Sequence, residues 1–257
     1  MDRLGHDDGG NDDGGNGTAS SHPRGTVLLM RHGTSVANVG GWTAGWQDVD
    51  LAPRGEQEAR SAARAVLGSD LPVEIVYSSL LTRAGRTAEI VAEGIGLARH
   101  AVRRRWRLNE RHAGAFEGMT REEMVAHAGR TALRSWKRLP DVRPPELDPA
   151  DDRHPRHDPR YAGLPTGALP GGESSDDVLR RLLPLWEGEV RHELAAGRSV
   201  LVVTHEHVLR VLMAHLTGAG SSLPPKAPVP GRLPWALRLG PDGGSLVSAR
   251  ELHTRPG

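Results

Sequence analysis

Four apolar residues in a row, Val27, Leu28, Leu29 and Met30, run directly into the polar string Arg31-His32-Gly33-Thr34-Ser35. An unbroken apolar run of this length suits a parallel strand buried on both faces, with the polar string marking its C-terminal end. The pattern recurs twice. Residues 73–77 (VEIVY) lead into Ser78-Ser79, and residues 200–203 (VLVV) lead into Thr204-His205. Residues 235–239 predict a last strand.

Helical spacing fills the gaps between these runs. Ala59, Ala62, Ala63, Val66 and Leu67 predict a helix that starts at Pro53 and stops at Gly68. Ala52 is a poor cap for that start. Leu81, Ala84, Ala88 and Val91 make a second stripe, with Arg83 off it, in the first turns after a strand. Val178, Leu179, Leu182, Leu183, Trp186, Val190 and Leu194 follow the same period, with a kink expected at Pro184. Val208, Val211, Leu212 and Leu216 mark one further helix.

Strands alternating with helices predict an α/β fold, with a mostly parallel central sheet flanked by helices on both faces. In such sheets ligands bind beyond the C-terminal strand ends. His32, the stretch from Ser79 to Arg83, and His205 all fall at such ends. Residues 1–24 carry Gly, Asp, Asn and Ser with few apolar groups and predict a disordered tail. Residues 25–257 then form a single catalytic domain, with 106–175 as an insertion or lid. Its part from 140 to 172 is rich in Pro, Asp, His and Arg and too long for an ordinary connection.

Composition narrows the function. With 257 residues and 37% hydrophobic content the chain can bury a substantial core. A formal net charge of +1 gives no bulk attraction to nucleic acid. The absence of cysteine removes disulfides, thiolate metal sites and cysteine nucleophiles, and is compatible with a cytoplasmic protein. No apolar stretch reaches membrane-spanning length, so no membrane partner is expected. The N-terminus lacks the apolar core of a secretory signal.

The chemistry concentrates at the strand ends. Neutral imidazole is a competent nucleophile toward phosphorus, which makes His32 a candidate. Arg31 offers planar donors to two phosphoryl oxygens, and Gly33 would let backbone and substrate approach closely. A loop histidine beside a surface ion pair fits those three residues too. Arg83 and His205 strengthen the catalytic reading, because with Arg31 they could surround the oxygens of a transferring phosphoryl group. Protonation of His205 would help; neighbouring arginines oppose it and a bound phosphoryl group favours it. Glu110 could pass a proton to and from the ester oxygen, or be an ordinary salt-bridged carboxylate. Arg121, Lys137 and Arg138 could hold a second anion on the substrate, or be surface charge on a helix. His207 beside His205 hints at zinc, but no cysteine or acidic ligand completes a set. His6 and His22 read as solvated residues of the tail. With no glycine-rich dinucleotide fingerprint either, neither metal nor nucleotide is expected as a cofactor. The expected partner is a small anionic phosphorylated metabolite.

The strings LLMRHGTSVAN, TAGWQDVDLAPRG, YSSLLTRAGRT, WRLNERHAGAFEGM, PPELDPADDRHPRHDPRYA, GGES and VVTHEHVLR resemble the histidine phosphatase superfamily. More narrowly they resemble the 2,3-bisphosphoglycerate-dependent phosphoglycerate mutases, from Val27 to about Leu216. The resemblance implies His32 as nucleophile and Glu110 as proton donor and acceptor. It implies a phosphate pocket of Arg31, Asn38, Arg83 and His205, and a backbone contact to substrate at Gly45. Arg111, Arg121, Lys137 and Arg138 match the region that holds the distal anion, and His207 matches a hydrogen-bonding asparagine. A 2,3-bisphosphoglycerate primer is implied for a mutase, and a homodimer or homotetramer is allowed.

Several positions depart from that pattern, and all concern substrate recognition. Thr34 stands for Glu, Ala44 for Thr, Ala113 for Tyr, and Glu206-His207 for Gly-Asn. Arg121 and Lys137 exchange Lys for Arg and the reverse, which alters fork geometry. A longer C-terminal tail that covers the mutase site is missing after LVSARELH. The expected activity is therefore interconversion of 3-phosphoglycerate and 2-phosphoglycerate through a phosphohistidine. The alternatives are a histidine phosphatase acting on a small phosphate monoester and a noncatalytic anion-binding relative.

Overall fold

A computed structural model describes residues 25–241 and 243–254, so the predicted tail with His6 and His22 lies outside the described residues. Six strands form one sheet: β1 (Val27–Arg31), β2 (Ile75–Ser78), β3 (Val102–Arg104), β4 (Val200–Thr204), β5 (Trp235–Leu239) and β6 (Leu246–Glu251). Their spatial order is β3-β2-β4-β1-β5-β6. β3, β2, β4 and β1 are mutually parallel, whereas β5 and β6 continue the sheet antiparallel.

The alternation of side chains along each strand divides the core in two. Leu29, Tyr77, Val200 and Val202 face α5 (Ser175–Leu185) and α7 (Glu206–Leu216), packing on Val178, Leu182, Trp186, Val208 and Leu212. Leu28, Met30, Val76, Leu201 and Val203 face α2 (Pro53–Leu67) and α3 (Thr82–Gly94), packing on Ala59, Ala62, Ala63, Ala88 and Val91. Alanines on α2 and α3 keep that layer thin. A third cluster of Ala113, Phe116, Met124, Leu133 and Trp136 lies within the middle stretch, built largely by α4 (Arg121–Arg138).

Several local expectations shift. The second strand begins at Ile75, because Glu74 and Ile75 turn their N–H groups to Ser199 O. Helix α2 starts at Pro53 without a side-chain cap and stops at Gly68 in right-handed geometry; Asp70 takes the positive φ, at 57°. Pro184 does not break α5. The helix instead widens two residues later into a π segment, Trp186–Val190, before α6 (Arg191–Ala195). β3 and β6 are edge strands with mostly exposed residues, so no apolar run announced them. Helix α4 buries only Met124, Leu133 and Trp136 and is interrupted at Gly129 (φ 83°, ψ 157°), which hides its period.

Candidate active site

The parallel strands β1, β2 and β4 end side by side, and each hands its chain to a polar residue. His32 follows β1 and donates its backbone N–H to Thr204 O at 2.9 Å, which ties the end of β1 to the end of β4. Ser79 follows β2, one turn before Arg83 on α3. His205 follows β4 and starts α7. The crevice above these ends has a volume of about 440 Å³. Arg31, His32, Asn38, Gly45, Arg83, Glu110, Arg111, Lys137 and His207 all line it, although they come from seven separate stretches of chain.

His32 is 3% exposed, and its Nδ1 lies 2.7 Å from its neighbour's carbonyl, Gly33 O. A carbonyl only accepts, so Nδ1 carries the proton and Nε2 keeps its lone pair. Burial, then the charges of Arg83, Arg31 and Arg232, hold the His32 pKa well below the ordinary histidine value. The ring is therefore neutral and nucleophilic at Nε2.

His205 sits behind it, fully buried, with ring centroids 5.0 Å apart. Its Nε2 meets Ser79 Oγ at 2.8 Å, and its Nδ1 is buried without a protein partner. Burial first, then Arg83, His32 and Arg31, lower its pKa well below the ordinary value, so the ring is neutral. With Ser79 donating to Nε2, that neutral ring would still carry a proton on Nδ1 to offer.

Arg31 Nη1 pairs with Glu206 Oε2, while its Nε is buried without a protein partner. Arg83 is 2% exposed and donates to Gln47 O at 3.0 Å and Gly45 O at 2.7 Å. Glu110 is half-buried, its Oε1 accepting from Arg111 N at 2.8 Å. Burial raises its pKa; that hydrogen bond and the charges of Arg83, Arg31 and Arg111 oppose the rise. Its backbone is pinned too, Glu110 O accepting from Trp46 Nε1 at 2.5 Å and from Arg181 Nη2 at 2.9 Å.

Across the crevice, Arg111 lies over the Trp136 ring at 4.1 Å and donates to Trp136 O at 3.0 Å. Burial brings its pKa down to about 10, which leaves it charged. Lys137 stands beside it, its pKa lowered by burial and by Arg121 and Arg111. The site thus joins a neutral imidazole, a carboxyl group and two cationic ends.

Residues 27–159 and 148–248 match the histidine phosphatase superfamily (branch 1). The chain belongs to that superfamily. A 2,3-bisphosphoglycerate-dependent phosphoglycerate mutase of Nitratidesulfovibrio vulgaris (strain DP4) is 42% identical over 213 residues, 83% of this chain and 85% of its own. The Thermobifida fusca (strain YX) protein of the same name is 41% identical over 217 residues, 84% and 88% of the two chains. Among solved structures, a mycobacterial glucosyl-3-phosphoglycerate phosphatase in complex with VO3 aligns with TM-score 0.64 at 28% identity, covering 89% of this chain and 97% of its own.

Within this member of the superfamily, some expected contacts lie elsewhere. Gly33 approaches protein, not substrate: a Cβ there would come 2.3 Å from Gly55 O on α2. Gly45 lines the crevice, but its carbonyl already accepts from Arg83. Asn38 lines it as well, while its Oδ1 caps α1 (Val36–Gly40) through Ser35 N at 3.1 Å. Arg121 and Arg138 are exposed on α4 and do not line the crevice. His205 and His207 turn to different serines, His207 Nε2 meeting Ser175 Oγ at 3.0 Å. Among the described residues no group of three or more His, Asp or Glu could hold a metal ion.

Arg210 was not foreseen. It lines the crevice from α7, one turn after Glu206 and His207, and donates to Pro224 O at 2.8 Å and Pro225 O at 3.0 Å. Helical spacing from His207 would have found it.

Proposed function

We propose that this enzyme interconverts 3-phosphoglycerate and 2-phosphoglycerate through a phosphohistidine on His32 Nε2, primed by 2,3-bisphosphoglycerate. The observation that carries this reading is the second cationic group, Arg111, Lys137 and Arg210, facing the same crevice as His32. A substrate with one anion at each end suits that pair of poles. The mutase names of relatives at about 40% identity support it. The setting on this reading is glycolysis in the cytoplasm. Among the described residues no helix is long and apolar enough to cross a membrane.

His32 Nε2 attacks the phosphorus as the ester P–O bond breaks, and Glu110 gives its proton to the leaving oxygen. Glu110, now a carboxylate, takes the proton of the acceptor hydroxyl as that oxygen attacks the phosphohistidine. Arg31 Nε, Arg83 and the Nδ1 proton of His205 offset charge on the phosphoryl oxygens. No step calls on a metal or nucleotide.

A second reading, hydrolysis, draws on Ala113. It lines the crevice where the mutases carry a tyrosine, so a wall that would exclude water is thinner. The phosphatase among the structural relatives has the same fold.

One experiment separates the readings. His32 is phosphorylated with labelled 2,3-bisphosphoglycerate, excess donor is removed, and 3-phosphoglycerate is added in the presence of a chelator. Label is expected in bisphosphoglycerate in preference to free phosphate. Free phosphate forming at one rate with and without the acceptor would overturn the mutase reading, and absence of any phosphoenzyme would overturn both.

A further inference from the structure

Glu206 opens α7, where the helix N-terminus alone would stabilise a carboxylate pointing to solvent. Its side chain instead reaches back to Arg31, with Oε2 2.5 Å from Nη1. Both residues line the crevice beside His32. The arginine is thus divided, with Nη1 held by Glu206 and Nε buried without a protein partner. This is no remote surface pair, because its cation belongs to the phosphoryl site itself.

A phosphoryl group at His32 brings a charge of roughly −2 to the same guanidinium. Carboxylate and phosphoryl oxygens then compete for Arg31 and repel one another. We propose that Glu206 is an internal counter-ion that sets the strength of the phosphoryl site: it pairs with Arg31 when the site is empty and weakens every phosphate anion by a similar factor. The inference rests on the phosphoryl-transfer reading of the crevice.

A uniform penalty does not produce uniform occupancy. Orthophosphate, anchored only at the His32 end, is left binding weakly. An ester that also reaches Arg111, Lys137 and Arg210 loses the same factor from a tighter starting point, because it makes contacts orthophosphate cannot make. Glu206 therefore lets a strongly cationic site release or ignore free phosphate while holding the doubly anchored substrate. In the empty enzyme it also relieves part of the repulsion between Arg31 and Arg83.

The test is calorimetric titration of the whole protein with orthophosphate. Glu206→Gln, which keeps size but removes charge, is expected to bind it roughly tenfold more tightly than wild type. Glu206→Gly, which removes the carboxylate from the first turn altogether, should tighten binding likewise, and Glu206→Asp, which retains the charge, should stay within roughly threefold of wild type. A merely structural role would loosen binding in the variants, not tighten it. Unchanged or weaker binding in both uncharged variants overturns the assignment. Labelling of His32 is read separately in the same proteins. Its absence from wild type overturns the phosphoryl-transfer reading, whereas its presence with unchanged orthophosphate affinity overturns the role of Glu206 alone.

Discussion

At the scale of single residues the proposed chemistry rests on opposite pKa shifts at two residues that line one crevice. Burial and three arginines hold the His32 pKa well below the ordinary histidine value, and burial raises that of Glu110. Removing His32 as His32→Ala should abolish the acid-labile phosphoenzyme, and an intact phosphoenzyme in that variant would reject the nucleophile. Glu110→Gln should slow turnover by roughly 10²–10⁴-fold with a much smaller change in substrate binding. Because the Glu110 pKa is raised, the acid form persists above the usual carboxylate range, and the alkaline limb of the wild-type rate profile should move or vanish in Glu110→Gln. A profile of unchanged shape and height would assign the proton to another group. These residues were legible because an apolar run followed by a polar residue locates a strand end, and strand ends converge. Gly33 was legible as important but not for its reason. Its partner is Gly55, and nothing local to either glycine announces a contact across the fold.

At the scale of elements, the crevice depends on loops that the strands do not hold directly. Glu117 joins two of them, its Oε1 accepting from Trp46 N at 2.7 Å and Ala113 N at 3.3 Å. It stands between the loop that carries Gly45 and the one that carries Glu110. Burial pushes its pKa from 4.5 up to about 8. A carboxyl group whose folded pKa is raised contributes stability that is fully present below the unfolded value and is lost as pH rises through the folded one. The wild-type urea midpoint should therefore fall between about pH 5 and about pH 8.5, and Glu117→Gln should reduce that fall. Parallel pH curves for the two proteins would mean that Glu117 is charged in the fold. The same loops and α4 were least legible. Their residues bury only a narrow apolar stripe, and Gly129 resets the helical phase between Arg121 and Arg138. Periodicity thus could not show that Arg121 and Arg138 do not line the crevice while Lys137 does. On α7 the apolar stripe was plain, yet attention to that stripe left Arg210 on the opposite side unread.

At the scale of the whole molecule, the parallel strands β1, β2 and β4 were legible because each is buried on both faces, whereas the fourth, β3, is an exposed edge without an apolar run. The antiparallel extension was half legible: β5 pairs with β1 and carries core residues, whereas β6 lies at the sheet edge and is exposed along nearly its whole length. That architecture gathers Arg31, Arg83, Arg111, Lys137 and Arg210 around one crevice, with Glu206 the carboxylate paired to Arg31. Like charges brought together by folding repel, so the empty fold carries an electrostatic cost that a bound anion removes. A ligand that binds only the folded state at about a hundred times its Kd adds roughly 2.7 kcal/mol of stability. For a chain of this size that corresponds to a rise of roughly 5–10 °C in Tm. Orthophosphate at such a concentration should produce this rise, and chloride at equal ionic strength should not, because screening acts weakly on buried cations such as Arg83. His32→Ala should retain most of the phosphate effect, since the arginines remain, whereas Arg83→Met should lose most of it. An equal rise with chloride, or full retention in Arg83→Met, would mean that the crevice is not the anion site and that its charges are balanced elsewhere in the fold.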